Sequence, residues 1–231
     1  MKPDHKRTRR YYKYIGGAAA IALVCLLVAL RPVFVQGAKN ASLIRAIKSG
    51  DTNLAIELLN QGSDANSSEQ SERFVLTQYF EQIFGKSHKP QPTALMLVFS
   101  PKNTLANINH EPVELVRALL ARGANVNAIS NVDTWSREPI VFHAASEGCA
   151  QCVQLLLDHG VDPNTRNETG ATPLIFAGNT RTARLLINRG ADVNARTDDG
   201  YTALRMPEES EGEQPEAKDR VRLLIAAGAK H

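Results

Sequence analysis

Five times along the chain an apolar helical stretch is followed, three residues after its last core position, by glycine. The pairs are Leu59 and Gly62, Leu120 and Gly123, Leu157 and Gly160, Ile187 and Gly190, and Ile225 and Gly228. Ahead of each glycine, runs such as Val116-Arg-Ala-Leu-Leu120, Val153-Gln-Leu-Leu-Leu157 and Ala183-Arg-Leu-Leu-Ile187 place their apolar residues on one face of a helix. Glycine takes the left-handed conformation that closes a helix without a Cβ clash. Four of the glycines open one pentapeptide: Gly62-Ser-Asp-Ala-Asn66, Gly123-Ala-Asn-Val-Asn127, Gly160-Val-Asp-Pro-Asn164 and Gly190-Ala-Asp-Val-Asn194. Its Asp and Asn side chains bond nearby backbone and hold a tight turn. Helix starts fall between these ends. In Gly170-Ala-Thr172-Pro173-Leu174 the threonine is the expected N-cap and the proline the first helical residue, while Pro92-Thr93-Ala94-Leu95 and Thr202-Ala203-Leu204 are weaker copies. Each unit therefore reads as turn, helix, short loop, helix, glycine.

This repeating unit resembles the ankyrin-repeat family, whose period is about 33 residues with a Thr-Pro-Leu-His-x-Ala signature. The resemblance covers residues 41–231 and implies an all-α solenoid of helix-turn-helix pairs with β-turn fingers, in repeats over about 41–66, 92–127, 138–164, 170–194 and 200–231. The first unit lacks a leading turn, as an N-terminal capping repeat should. Inserts are expected over 67–91 and over the Glu-rich 208–220, the latter solvated, and further residues are added around 100–110. The third unit keeps Ala144-Ala145 but has no Thr-Pro, and the fourth is short between Ala177 and Leu185.

Before the repeats the pattern changes. Residues 14–30 carry no charge, Arg31-Pro32 interrupts, and Val33-Phe34-Val35 resumes the apolar run. About 20 apolar residues suffice to cross a bilayer core, so a transmembrane signal-anchor helix is expected over 14–35, its membrane contact over 15–35. The net charge of +3 resides in the basic tail 1–13, which holds six Lys or Arg against Asp4. That asymmetry predicts a cytoplasmic N-terminus in a single-pass membrane protein with an extracytoplasmic repeat domain, periplasmic or lumenal. Two alternatives stay open: a signal peptide cut near Gly37 that yields a secreted chain, and the reversed topology. Nucleic acid is not an expected partner, because the basic balance describes the tail and not a face of the repeats.

Stacked repeats bury a continuous core and leave an elongated surface of finger tips and first helices. The resemblance implies that this concave surface binds a protein and that no small-molecule substrate or cofactor is needed. The chain then acts as an adaptor or scaffold; the alternative is an inhibitor or effector of a specific enzyme, released by signal cleavage. The tips supply the candidate contacts Trp135, Arg137, Arg166, Glu168, Arg196, Asp198, Asp199 and Tyr201, since Trp, Tyr and Arg are the usual interface anchors. Nothing in the chain assembles an enzyme: no nucleophile sits on an elbow, no glycine-rich loop cradles phosphate, and no paired carboxylates emerge. Three cysteines are too few for a disulfide framework. Cys149-Ala-Gln-Cys152 has redox or zinc spacing without a second ligand pair, so Cys152 is assigned to a core position and Cys149 to the loop between two helices, with no metal bound. His143, Asp158 and His159 are read as packing and helix-end residues. The Asn-x-Ser/Thr sequons at Asn40, Asn66 and Asn167 matter only in a eukaryotic secretory pathway.

Overall fold

The computed structural model describes residues 31–68, 93–99, 112–127, 138–205 and 215–230. The basic tail, the apolar run up to residue 30, the insert from 69 to 91, the added residues near 100–110 and the finger bearing Trp135 and Arg137 lie outside the described residues.

Eight helices are described: α1 over 31–49, α2 Thr52–Asn60, α3 Ala94–Val98, α4 Val113–Ala121, α5 Ile140–Ser146, α6 Ala150–Asp158, α7 Thr180–Asn188 and α8 Pro215–Ala226. The glycine pattern is realised as one motif used five times. Gly62, Gly123, Gly160, Gly190 and Gly228 have φ between +78° and +94°. Each donates its N–H to the carbonyl three residues back, and the next residue donates to the carbonyl five back, as in Gly123 to Leu120 and Ala124 to Leu119. Those two bonds satisfy carbonyls that the helix leaves orphaned. They also turn the residue after glycine inward, so that Ala124, Val161 and Ala191 join the core. Helix starts are capped by Asp51 on the Leu54 N–H, by Asn179 on the Thr182 N–H and by the Cys149 sulfur on the Cys152 N–H.

The second helices form one row, α2 against α4, α4 against α6, α6 against α7 and α7 against α8, with α3 on α4 and α5 on α6 in the other layer. A single core runs through the stack from Leu43 to Leu224, and Phe142 meets Phe176 edge-on across a repeat boundary at 6.0 Å between centroids. The fourth unit departs from expectation. Thr172 and Pro173 do not start a helix; the chain makes only three-residue turns, with the Ile175 N–H on the Thr172 carbonyl and that of Ala177 on Leu174. The connector is too short for more and is pulled onto the previous repeat. Gly178 donates to the Ala145 carbonyl, and a Cβ there would collide with the Ser146 carbonyl oxygen.

The last residue of the pentapeptide joins repeat to repeat. Asn66 donates through Nδ2 to the Gly123 carbonyl and accepts the Asn125 N–H on Oδ1. Asn164 does the same with Gly190 and Asp192, and Asn194 with Gly228 and Lys230. One amide thus fills a donor and an acceptor of the neighbouring turn, a fit that requires asparagine. Arg122 adds a second tie, from Nη1 to the Leu59 carbonyl and from Nη2 to Asn60, and Arg189 reaches Asp158 at 2.7 Å.

At the N-terminal end of the described stack, residues 36–40 of α1 take the place that a preceding repeat's turn holds elsewhere. Gln36 Nε2 donates to the Gly62 carbonyl, Asn40 Oδ1 accepts the Asp64 N–H, and Lys39 donates to the Gln61 carbonyl. The expected single-pass placement, a transmembrane helix over 14–35 with an extracytoplasmic repeat domain beyond it, is therefore corrected. Among the described residues no helix is long and apolar enough to cross a membrane. Residues 31–35 belong to α1, which carries Arg31, Lys39, Arg45 and Lys48 and directs Gln36, Lys39 and Asn40 onto the turn of the first repeat. A second difference concerns the acidic insert over 208–220. From Pro215 onward it is helix α8, and Arg220 is buried with Nη1 2.6 Å from the Ala177 carbonyl.

Replacing Asn164 by alanine removes both seam bonds and leaves a backbone donor and acceptor without their partner. The expected loss is about 1–3 kcal/mol in denaturant unfolding. Asn164→Asp keeps the acceptor, discards the donor and should fall between.

Candidate protein-binding surface

The fingers are built from short turns whose side chains are committed to backbone. After the fourth-repeat seam, Asp162 accepts the Asn164 N–H, and the Asn167 side chain accepts the N–H groups of Thr169 and Ala171. Arg166 Nη1 donates to the Gly170 carbonyl within its own finger and, at 2.9 Å, to the Arg196 carbonyl in the next. The Asp198 N–H meets the Thr169 carbonyl at 2.9 Å, a second bond between the same fingers. Within the following finger Arg196 reaches the Gly200 carbonyl, Tyr201 donates its N–H to Thr197 Oγ1, and Arg196 and Thr202 pair as a single antiparallel bridge. In the other direction Asn167 Nδ2 donates to Glu138 Oε1 at 2.8 Å. Two consecutive fingers and the entry to α5 form one hydrogen-bonded strip.

The candidate contact residues separate accordingly. Arg166 and Arg196 are exposed but spend their guanidinium groups on turn carbonyls, so they shape the strip. Glu168, Asp198 and Asp199 stand exposed at the tips. Tyr201 is half-buried beneath the guanidinium of Arg205, 4.7 Å from the ring centroid, a cation–π contact that flattens both groups against the surface. Trp135 and Arg137 lie outside the described residues. Reading the sequence missed Arg205, Asn167 and Glu138. Arg205 follows Tyr201 by four residues, a spacing that pairs side chains in a helix but gives no warning in a turn.

The three residues whose types suit hydrolytic chemistry, His143, Asp158 and His159, are each engaged elsewhere. Asp158 pairs with Arg189, and His159 Nδ1 lies 2.8 Å from the Leu155 carbonyl of its own helix. His143 sits largely buried on α5, and loss of solvation there lowers its pKa from 6.5 to about 4. It is a neutral packing imidazole near neutral pH. Cys149 and Cys152 occupy the loop and core positions expected of them, and their sulfurs are joined in a disulfide that the sequence reading did not foresee.

Comparison with known proteins agrees with this geometry. The family description "Ankyrin repeats (3 copies)" matches residues 103–197 and 142–230. The "Ankyrin repeat, SAM and basic leucine zipper domain-containing protein 1" of Carollia perspicillata is 33% identical over 148 residues, 64% of this chain and 25% of the relative. The "2-5A-dependent ribonuclease" of Mus musculus is 46% identical over 63 residues, 27% of this chain and 8% of the relative, and that of Homo sapiens is 40% identical over 70 residues, 30% and 9%. The chain spans a quarter or less of the length of these relatives.

The buried imidazole sets a pH dependence. Because its folded pKa lies below the unfolded value, the unfolded chain takes up the proton first as pH falls. The stabilisation is complete above pH 6.5, is lost between 6.5 and about 4, and amounts to at most about 3 kcal/mol. His143→Leu should flatten that part of the stability–pH curve, read by denaturant unfolding at a series of pH values.

Proposed function

The chain belongs to the ankyrin-repeat family, and from that premise we propose that it is an adaptor that holds a protein partner against the strip formed by its fingers. The observation that supports this most is the pair of bonds from Arg166 to the Arg196 carbonyl and from Asp198 to the Thr169 carbonyl. They fix neighbouring tips relative to one another before any partner arrives, so little ordering entropy remains to oppose association. Glu168, Asp198, Asp199 and the Tyr201–Arg205 pair then contact the partner directly, while Arg166 and Arg196 hold the tips in register. Trp135 and Arg137, which lie outside the described residues, are further contacts proposed on residue type alone. Ankyrin repeats are chiefly interaction modules, and the partner is a protein surface long enough to touch at least two tips at once.

A photo-reactive amino acid placed at position 168 or 199 tests the reading, with positions 154 and 184 on the outer faces of α6 and α7 as controls. The same protein should be captured from both finger positions and from neither control, and Tyr201→Ala combined with Asp199→Lys should reduce its capture at least tenfold without altering thermal unfolding. Equal capture from both faces of the stack would overturn the proposal.

A further inference from the structure

The Cys149–Cys152 disulfide lies where a structural staple has least to offer. It links the loop after α5 to the first turn of α6 and so encloses only Ala150 and Gln151. The entropy that a cross-link removes from the unfolded chain grows with the loop it closes, and this loop is among the shortest possible. The position suits redox chemistry instead. Cys149 is the N-cap of a nine-residue helix, and its sulfur already accepts the Cys152 N–H at 3.2 Å. A thiolate is a better acceptor than a thiol and is favoured at the positive end of the helix, so the reduced form of Cys149 is stabilised there. Cys152, wholly buried at the apolar position beneath, has no such support.

The loop that carries Cys149 is also a joint between repeats. Ala145 accepts the Gly178 N–H at 2.8 Å, Gly148 accepts Asn179 Nδ2 at 2.8 Å, and Asn179 is in turn the N-cap of α7. The short fourth-unit connector thus rests on the residues flanking the disulfide, and α6 packs on α5, α4 and α7. From these observations we infer that Cys149 and Cys152 form a reversible redox site whose partner is a dithiol–disulfide couple, and that reduction loosens the joint between the third and fourth repeats.

The exchange balances in two steps. A thiolate of the dithiol attacks the Cys149 sulfur, which is the more accessible of the two; the S–S bond breaks and Cys152 leaves as a thiolate that takes a proton from solvent. The second thiolate of the reductant then attacks its own sulfur in the mixed disulfide and releases Cys149 as a thiolate. Two electrons pass to the cysteine pair and the reductant closes as its disulfide. Cys149 is 4% exposed, so attack proceeds through local opening of the 146–149 loop and not through global unfolding.

The test uses the full chain equilibrated in buffers of graded reduced and oxidised dithiothreitol, with thiols trapped by alkylation and mapped by peptide mass so that Cys25 is counted separately. Cys149 and Cys152 should become alkylated together, in protein whose circular dichroism remains native, and amide exchange at Gly178 and Asn179 should quicken several-fold on reduction. In Cys149→Ser/Cys152→Ser protein the same amides should not respond to dithiothreitol. The inference is overturned if the pair carries free thiols in the oxidising buffer, if it is reduced only where the fold is lost, or if Gly178 and Asn179 exchange at one rate in both redox states.

Discussion

Three joints of this stack are fixed by a paired hydrogen bond from one asparagine to the turn of the following repeat. A helix pair cannot bury its own apolar face, so each repeat is stable only as far as it is seated on its neighbour. Apolar contact is non-directional and would tolerate sliding of one helix layer over another. The amide of Asn66, Asn164 or Asn194 removes that freedom, because its oxygen and nitrogen must meet an N–H and a carbonyl two residues apart in the next turn. At those joints, registry of the core, alignment of the second helices and the positions of the fingers follow from that fit.

The helix ends were legible because their cause is local. A left-handed residue after a helix demands glycine, and the two carbonyl bonds made just beyond it demand nothing further from the sequence. The seams were not legible, because their partners lie far along the chain: Asn66 bonds Gly123 and Asn164 bonds Gly190, 57 and 26 residues away. Seen alone, each asparagine was a turn former. The role of α1 was obscured differently. Val33-Phe34-Val35 continues an apolar run by composition, yet Gln36 and Asn40, a helical turn apart, mark it as the first layer of the stack. At Thr172-Pro173 a sound start signal was overridden by the shortness of the connector, which Gly178 ties to Ala145. The Cys149–Cys152 bond depends on where two sulfurs meet in space, which spacing alone leaves open between packing and pairing.

The finger strip shows a similar division of labour. Residue types that commonly anchor interfaces are also those able to brace a turn, and two of the arginines brace. Arg166 spans two fingers and Arg196 closes its own, which leaves the short acids and the Tyr201–Arg205 pair at the surface. The fingers were legible as elements, while the separation of bracing from exposed side chains depends on bonds between fingers that the sequence does not show. Rigidity of this kind suits a binding platform, since tips that are already in place add specificity through their spacing.

Gln36 and Asn40 have a consequence for how such a chain can change over generations. They offer the first repeat the same donor and acceptor that an asparagine offers later ones, so the seam is an interchangeable coupling and not a bespoke fit. A unit copied or excised between two seams meets a compatible edge on both sides. Lineages can therefore lengthen or shorten the array by recombination while the opening helix stays the same, and diversify the tips one unit at a time.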